Sequence, residues 1–298
     1  MKYSFRGFMA PVFTAFTESM EVNYDIIPKY AEYLQKRGVN GVLINGTTGE
    51  GVSLNIDERK RVTQEWSWAV KTTKQSLMVQ IGGTSMTNVI ELAKHAESQN
   101  ADALLCLPEL FFKPKRCQDL VDYLKLVAKA APNTPLLYYH IPSFTDVNLD
   151  MESFIEMACE EIPTFAGIKF THTNLEEGAR CVQIGKEKDV AIFLGADQLL
   201  SAATILGFDS AIATTLNMWP ELLIDIQRNV NNGNTDKAMA LQEKLTKRIN
   251  QIIKHGSWVP TMKAVMNLSS EFDMGKPRPP LVPLTKLQIQ TIATIFSK

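Results

Sequence analysis

The chain has 298 residues, 45% hydrophobic and 21% charged, a mixture too apolar to stay unfolded and long enough for two ordinary domains or one large barrel. With 31 Lys and Arg against 32 Asp and Glu, the formal net charge is -1 and no basic block could track a phosphate backbone, so a nucleic-acid partner is not expected. The longest apolar runs fall far short of the ~20 residues that cross a membrane, so no membrane partner is expected either.

The opening "MKYSFRGFMAPVF" carries a charge at Arg6 and neither a long apolar core nor a small-residue cleavage site, so a cytoplasmic protein is expected rather than a secreted one. A first strand is expected over Gly7 to Val12, followed by an amphipathic helix in "DIIPKYAEYLQKRG" and a second strand over Gly41 to Ile44. "DERKRVTQEWSWAVKTT" reads as the next helix, with Asp57 as its cap and Lys60 and Arg61 in its first turn. Strands at Leu77 to Ile81, Ala103 to Leu107, Leu136 to Tyr139, Ala166 to Phe170, Ala191 to Leu194 and Ala211 to Thr214 continue the alternation, with helical patterns such as "NVIELAKHAESQN" and "RCQDLVDYLKLVAKAA" between them. Strand starts recur every 20 to 36 residues. Eight βα units close into a (β/α)8 TIM barrel; the doubly wound open sheet is second, because no G-x-G-x-x-G follows the first strand.

Beyond Trp219 the strand signal ends and four helical stretches follow, the first completing the barrel. The expected organisation is therefore a barrel over 1–232 and a C-terminal helical appendage over 233–298, with a proline-rich connection "GKPRPPLVPL" inside it. The four cysteines (Cys106, Cys117, Cys159, Cys181) form no C-x-x-C pair and read as buried free thiols, while His95, His140, His172 and His255 have no ligand spacing. No metal site is expected.

In "GIKFTHTN" a lysine interrupts a buried strand. If Ile168 and Phe170 face the helices, Lys169 and Thr171 face the barrel axis near the C-terminal ends of the strands, where barrel enzymes carry their chemistry. An ordinary lysine, with a pKa of ~10.4, is neutral in about one molecule in 2500 at pH 7, a cost of roughly 4.6 kcal/mol that apolar neighbours reduce. Such an amine suits Schiff-base chemistry, which also needs a proton carrier and a carboxylate holder. Of Tyr138 and Tyr139 in "LLYYHIPS", alternation turns only one inward, where its hydroxyl can shuttle protons. In "INGTTGEG", Gly46 and Gly49 let backbone N–H groups converge beside the Thr47 and Thr48 hydroxyls, a nest sized for a carboxylate.

Five motifs in order, "GTTGE", "YYHIP", "GIKFT", "GAD" and "RPPL", resemble the dihydrodipicolinate synthase and N-acetylneuraminate lyase superfamily of class I aldolases over almost the whole chain. The resemblance is nearest to its animal-type sialic acid lyase branch, through "NGTTGEGVSL", "IPTFAGIKFTHTNL" and "FLGADQLLSA". The synthases carry an arginine shortly after Tyr-x-x-Pro, where this chain has Ser143, Phe144 and Thr145.

The resemblance implies a Schiff base on Lys169, proton transfer by Tyr139, and a pyruvate carboxylate held by Thr47 and Thr48. Thr171, Gly195, Asp197, Gln198 and Thr214 would face the sugar. It implies reversible cleavage of N-acetylneuraminate to pyruvate and N-acetylmannosamine by a homotetramer, with the protonated imine as electron sink and no cofactor or metal. Gln198 stands where the family usually has glutamate, Thr214 where it has serine and Leu216 where a tyrosine is common, all on the sugar side. Phe111 and Phe112 replace a tyrosine pair of the bacterial relatives. Gln198 and Leu216 keep open an aldolase for another 2-keto-3-deoxy sugar acid, and a barrel that binds a keto acid or sugar without turnover is a further alternative.

Overall fold

Eight parallel strands, hydrogen-bonded in chain order, form the barrel in the computed structural model, which describes residues 3–296. They are β1 (Met9–Pro11), β2 (Gly41–Ile44), β3 (Ser76–Gln80), β4 (Ala103–Cys106), β5 (Leu136–His140), β6 (Phe165–Phe170), β7 (Ala191–Leu194) and β8 (Ser210–Ala211). Around them run α1 (Ile27–Lys36), α2 (Ile56–Thr73), α3 (Met86–Ser98), α4 (Cys117–Ala130), the one-turn α5 (Pro142–Thr145), α6 (Met151–Glu161), α7 (Leu175–Lys188), α8 (Leu200–Leu206) and α9 (Pro220–Asn231). Three more helices follow: α10 (Thr235–Ile252), packed against α8 and α9, then α11 (Trp258–Ser269) and α12 (Lys286–Phe296).

Strand alternation separates two cores. Met9, Leu43, Met78, Leu105, Leu137 and Phe193 fill the barrel interior. Val42, Ile44, Leu104, Tyr138, Ile168 and Phe170 pack outward against the helices. Because each strand is buried on both faces, it reads as a continuous apolar run. Between β8 and β1 the seam is a single bridge, Met9 to Ile212. The buried Asn217 reinforces it, its Nδ2 donating to the Pro11 carbonyl at 2.9 Å and the Thr214 carbonyl at 2.8 Å.

All eight expected strands are present, and two local expectations are corrected. The cap of α2 is Asn55 rather than Asp57: its Oδ1 accepts from the Glu58 N–H at 2.9 Å, while the Glu58 carboxylate accepts from the Asn55 N–H at 2.9 Å. That reciprocal pair satisfies two end-of-helix donors, and Asp57 falls in the first turn, where the helix dipole favours it. The last strand stops at Ala211, and Thr214 instead opens a 3-10 turn over Thr214–Asn217. All four cysteines are free; Cys106 and Cys181 are buried, which pushes each thiol up to about 12.

Candidate active site

The site begins with an irregularity in β6. Leu136 pairs with Phe165 but Leu137 pairs with Gly167, so Ala166 is an extra residue and the strand bulges. Phe165 faces outward and Ala166 inward; after the bulge Ile168 faces outward again, which turns Lys169 to the interior directly opposite Tyr139. Gly167 makes this possible: its φ is +135°, and a Cβ there would lie 1.9 Å from the Ala191 carbonyl oxygen.

Lys169 is 4% exposed, and its Nζ donates to Tyr139 Oη at 3.0 Å while lying 4.2 Å from the centre of that ring. Tyr139 belongs to the interior core and Tyr138 to the outer one, so alternation decides between the two tyrosines. The loop after β2 brings Thr47 Oγ1 to 3.1 Å from Tyr139 Oη. Among the described residues the Thr47 and Thr48 N–H groups donate to no protein acceptor, which leaves them free for an anion. Thr48 is buried, its Oγ1 2.9 Å from Thr214 Oγ1, which in turn accepts from the Trp258 indole N–H at 3.3 Å.

Thr171 and Gly195 follow β6 and β7 and touch: a Cβ on Gly195 would meet Thr171 Oγ1 at 1.9 Å. That hydroxyl is buried with no partner among the described residues. Asp197 is buried, and its Oδ1 accepts from Thr215 Oγ1 at 2.6 Å and Thr215 N–H at 2.8 Å. Burial raises its pKa, opposed by the Thr215 hydrogen bonds and by the positive charge of Lys169. Gln198 turns toward α10, with Nε2 donating to Asn250 Oδ1 at 3.0 Å. Lys169, Tyr139 and Thr47 thus form one hydrogen-bonded chain and Thr48 joins Thr214, whereas Asp197 and Gln198 are engaged at the rim.

The residues that support the site are not among those expected from sequence. Glu50 is buried and pairs with buried Lys263 at 2.7 Å, and its second oxygen accepts the Arg278 N–H at 2.8 Å. The guanidinium of Arg278 grips the Glu58 carboxylate through both Nη atoms. Burial lowers the Lys263 pKa against the opposing pull of Glu50. A signal existed: Lys263 shares a helix face with Val259 and Met266, so the apolar stripe of α11 is broken by a charge. No such signal marked Trp258 or Thr215 as partners of Thr214 and Asp197.

A reactive amine, a phenol and an anion nest at the mouth of a barrel can form and hydrolyse an imine with a 2-keto acid. The model of the dihydrodipicolinate synthetase family matches residues 4–298. The chain belongs to that family. As a dihydrodipicolinate synthetase family member, it is 34% identical to the N-acetylneuraminate lyase of Mus musculus over 286 residues, 96% of this chain and 89% of the mouse one. The Danio rerio N-acetylneuraminate lyase is 35% identical over 288 residues, 96% and 94% of the two chains. Among solved structures, the Proteus mirabilis N-acetylneuraminate lyase superposes with a TM-score of 0.92 at 32% identity, covering 98% of this chain and 97% of that one.

Proposed function

We propose that the protein is a Schiff-base aldolase that cleaves N-acetylneuraminate reversibly to pyruvate and N-acetylmannosamine. The observation that carries the reading is the 3.0 Å contact of Lys169 Nζ with Tyr139 Oη, buried at the C-terminal mouth of the barrel. Full-length likeness to lyases of that name supports the choice of substrate.

Thr47 and Thr48 hold the carboxylate of the open-chain keto acid by hydroxyl and N–H groups. Neutral Lys169 attacks the C2 carbonyl, and the carbinolamine hydroxyl departs as water with a proton from Tyr139, leaving a protonated imine and a tyrosinate ready to accept the next proton. The C4 hydroxyl gives up its proton toward Tyr139, the C3–C4 bond breaks, and its electron pair moves to the imine nitrogen as an enamine. N-acetylmannosamine leaves as the aldehyde. Protonation at C3 and addition of water then release pyruvate and restore the amine. Tyr139 also relays the protons of carbinolamine formation and breakdown, which its contacts with both Lys169 and Thr47 support. Thr171, Gly195, Asp197, Gln198 and Thr214 line the sugar side.

The same reading takes the protein to be a cytoplasmic homotetramer. Phe111 and Phe112, 82% and 83% exposed, suit burial between subunits. Residues 1–232 constitute the catalytic barrel and 233–298 the appendage. The test is product analysis with a panel of keto acids: N-acetylneuraminate is expected to yield pyruvate and N-acetylmannosamine. Much faster cleavage of a 2-keto-3-deoxyhexonate would replace the assigned substrate.

A further inference from the structure

Asp197 and Gln198 lie on a 3-10 turn, Asp197–Leu199, that leads into α8. The start of α8 lacks a local cap: Leu199 stands at the cap position, where its side chain can accept nothing. The Ser201 N–H in the first turn therefore needs an outside acceptor. Gln242 of α10 supplies it. Its Oε1 accepts from Ser201 N–H at 2.9 Å and its Nε2 donates to the Asp197 carbonyl at 3.3 Å, with the side chain 8% exposed.

Two turns further along α10, Asn250 Oδ1 accepts from Gln198 Nε2 at 3.0 Å. An amide held by its nitrogen has its oxygen directed away from that contact, and Gln198 Oε1 receives no donor among the described residues. Glutamine in this orientation offers a sugar hydroxyl an acceptor, as a carboxylate would. Among the described residues no hydrogen bond joins α10 to Lys169, Tyr139 or Thr47, which are carried by β5, β6 and the loop after β2.

We propose that Gln242 and Asn250 are positioning residues through which α10 sets sugar-acid selectivity, Gln242 by fixing the backbone of Asp197 and Asn250 by fixing the Gln198 amide with its oxygen toward the substrate. The proposal rests on the aldolase reading and deepens it: recognition of the sugar is separable from the chemistry on pyruvate.

Asn250 is exposed, so N250L removes the acceptor without opening the core. The expected result is a KM for N-acetylneuraminate raised about 3- to 10-fold, the worth of one neutral hydrogen bond. In that variant kcat changes less, and borohydride captures pyruvate on Lys169 as in the wild type. N250D, which keeps an acceptor, restores KM. Q242M lowers the preference for N-acetylneuraminate over a 2-keto-3-deoxyhexonate. An N250L enzyme with unchanged KM and preference, or an N250D enzyme no better than N250L, overturns the proposal alone. A wild-type enzyme that neither captures pyruvate nor cleaves N-acetylneuraminate overturns the aldolase reading and this proposal with it.

Discussion

His140 lies one residue past the tyrosine that meets Lys169, and alternation sends it the opposite way, into the outer core. Its ring stacks on Phe170 at 5.3 Å between centres, and neither ring nitrogen has a partner among the described residues. Burial pushes its pKa down to about 3, and the charge of His172 adds to the effect. An unfolded imidazole titrates near ~6.5. Between those values the unfolded chain binds more protons, so stability rises with pH across the window and is lost as pH falls through it. His140→Phe is expected to flatten that acid limb by up to about 3 kcal/mol, measured by urea unfolding at pH 7 and pH 4. A wild-type pH dependence in the variant would contradict the assignment. Lys169 was legible because a charge in an apolar run is costly, and the Tyr139 assignment followed from alternation together with family likeness. The contacts of Thr214 with Trp258 and of Asp197 with Thr215 were not, since nothing in either local run records a partner from another element.

At the scale of the element, a single inserted residue decides whether the site exists. Without the bulge at Ala166 and Gly167, simple alternation from Phe165 would turn Ile168 inward and Lys169 toward the helices. The orientation expected from sequence, with Ile168 and Phe170 facing the helices, holds because of the bulge. Gly167→Ala combines a left-handed φ with a contact to the Ala191 backbone that cannot form. A loss of at least about 3 kcal/mol is expected in urea unfolding, with reduced pyruvate capture as β6 shifts register. Wild-type stability with full capture would show that the bulge does not set the orientation of Lys169. Ends of elements were harder to read than the elements themselves. Asn55 outcompetes Asp57 as the α2 cap through its reciprocal bonds with Glu58, and β8 gives way early to the turn that carries Thr214.

The whole molecule is a barrel whose repeating units each carry their own signature, which is why eight strands could be counted from periodicity alone. What joins distant parts could not be counted that way. The loop after β2 and the C-terminal region meet in one network, buried at Glu50 and Lys263 and half-buried at Arg278 and Glu58: Glu50 pairs with Lys263 and with the Arg278 backbone, and Arg278 reaches back to Glu58. The motifs "GTTGE" and "RPPL", separated by more than two hundred positions, are therefore two halves of one support. Breaking one side of such a pair would leave an uncompensated buried charge beside the anion nest. Through Gln242, Asn250, Trp258 and Lys263, helices α10 and α11 hydrogen-bond to every loop that carries a sugar-side or carboxylate-side residue named above except the one bearing Thr171. The chemistry itself comes down to one amine. Labelled pyruvate is to be reduced onto the protein with borohydride and the modified peptide mapped: the label is expected on Lys169, and Lys169→Ala is expected to abolish both capture and cleavage. Label on a different side chain, or cleavage of N-acetylneuraminate by Lys169→Ala at the wild-type rate, would contradict the account.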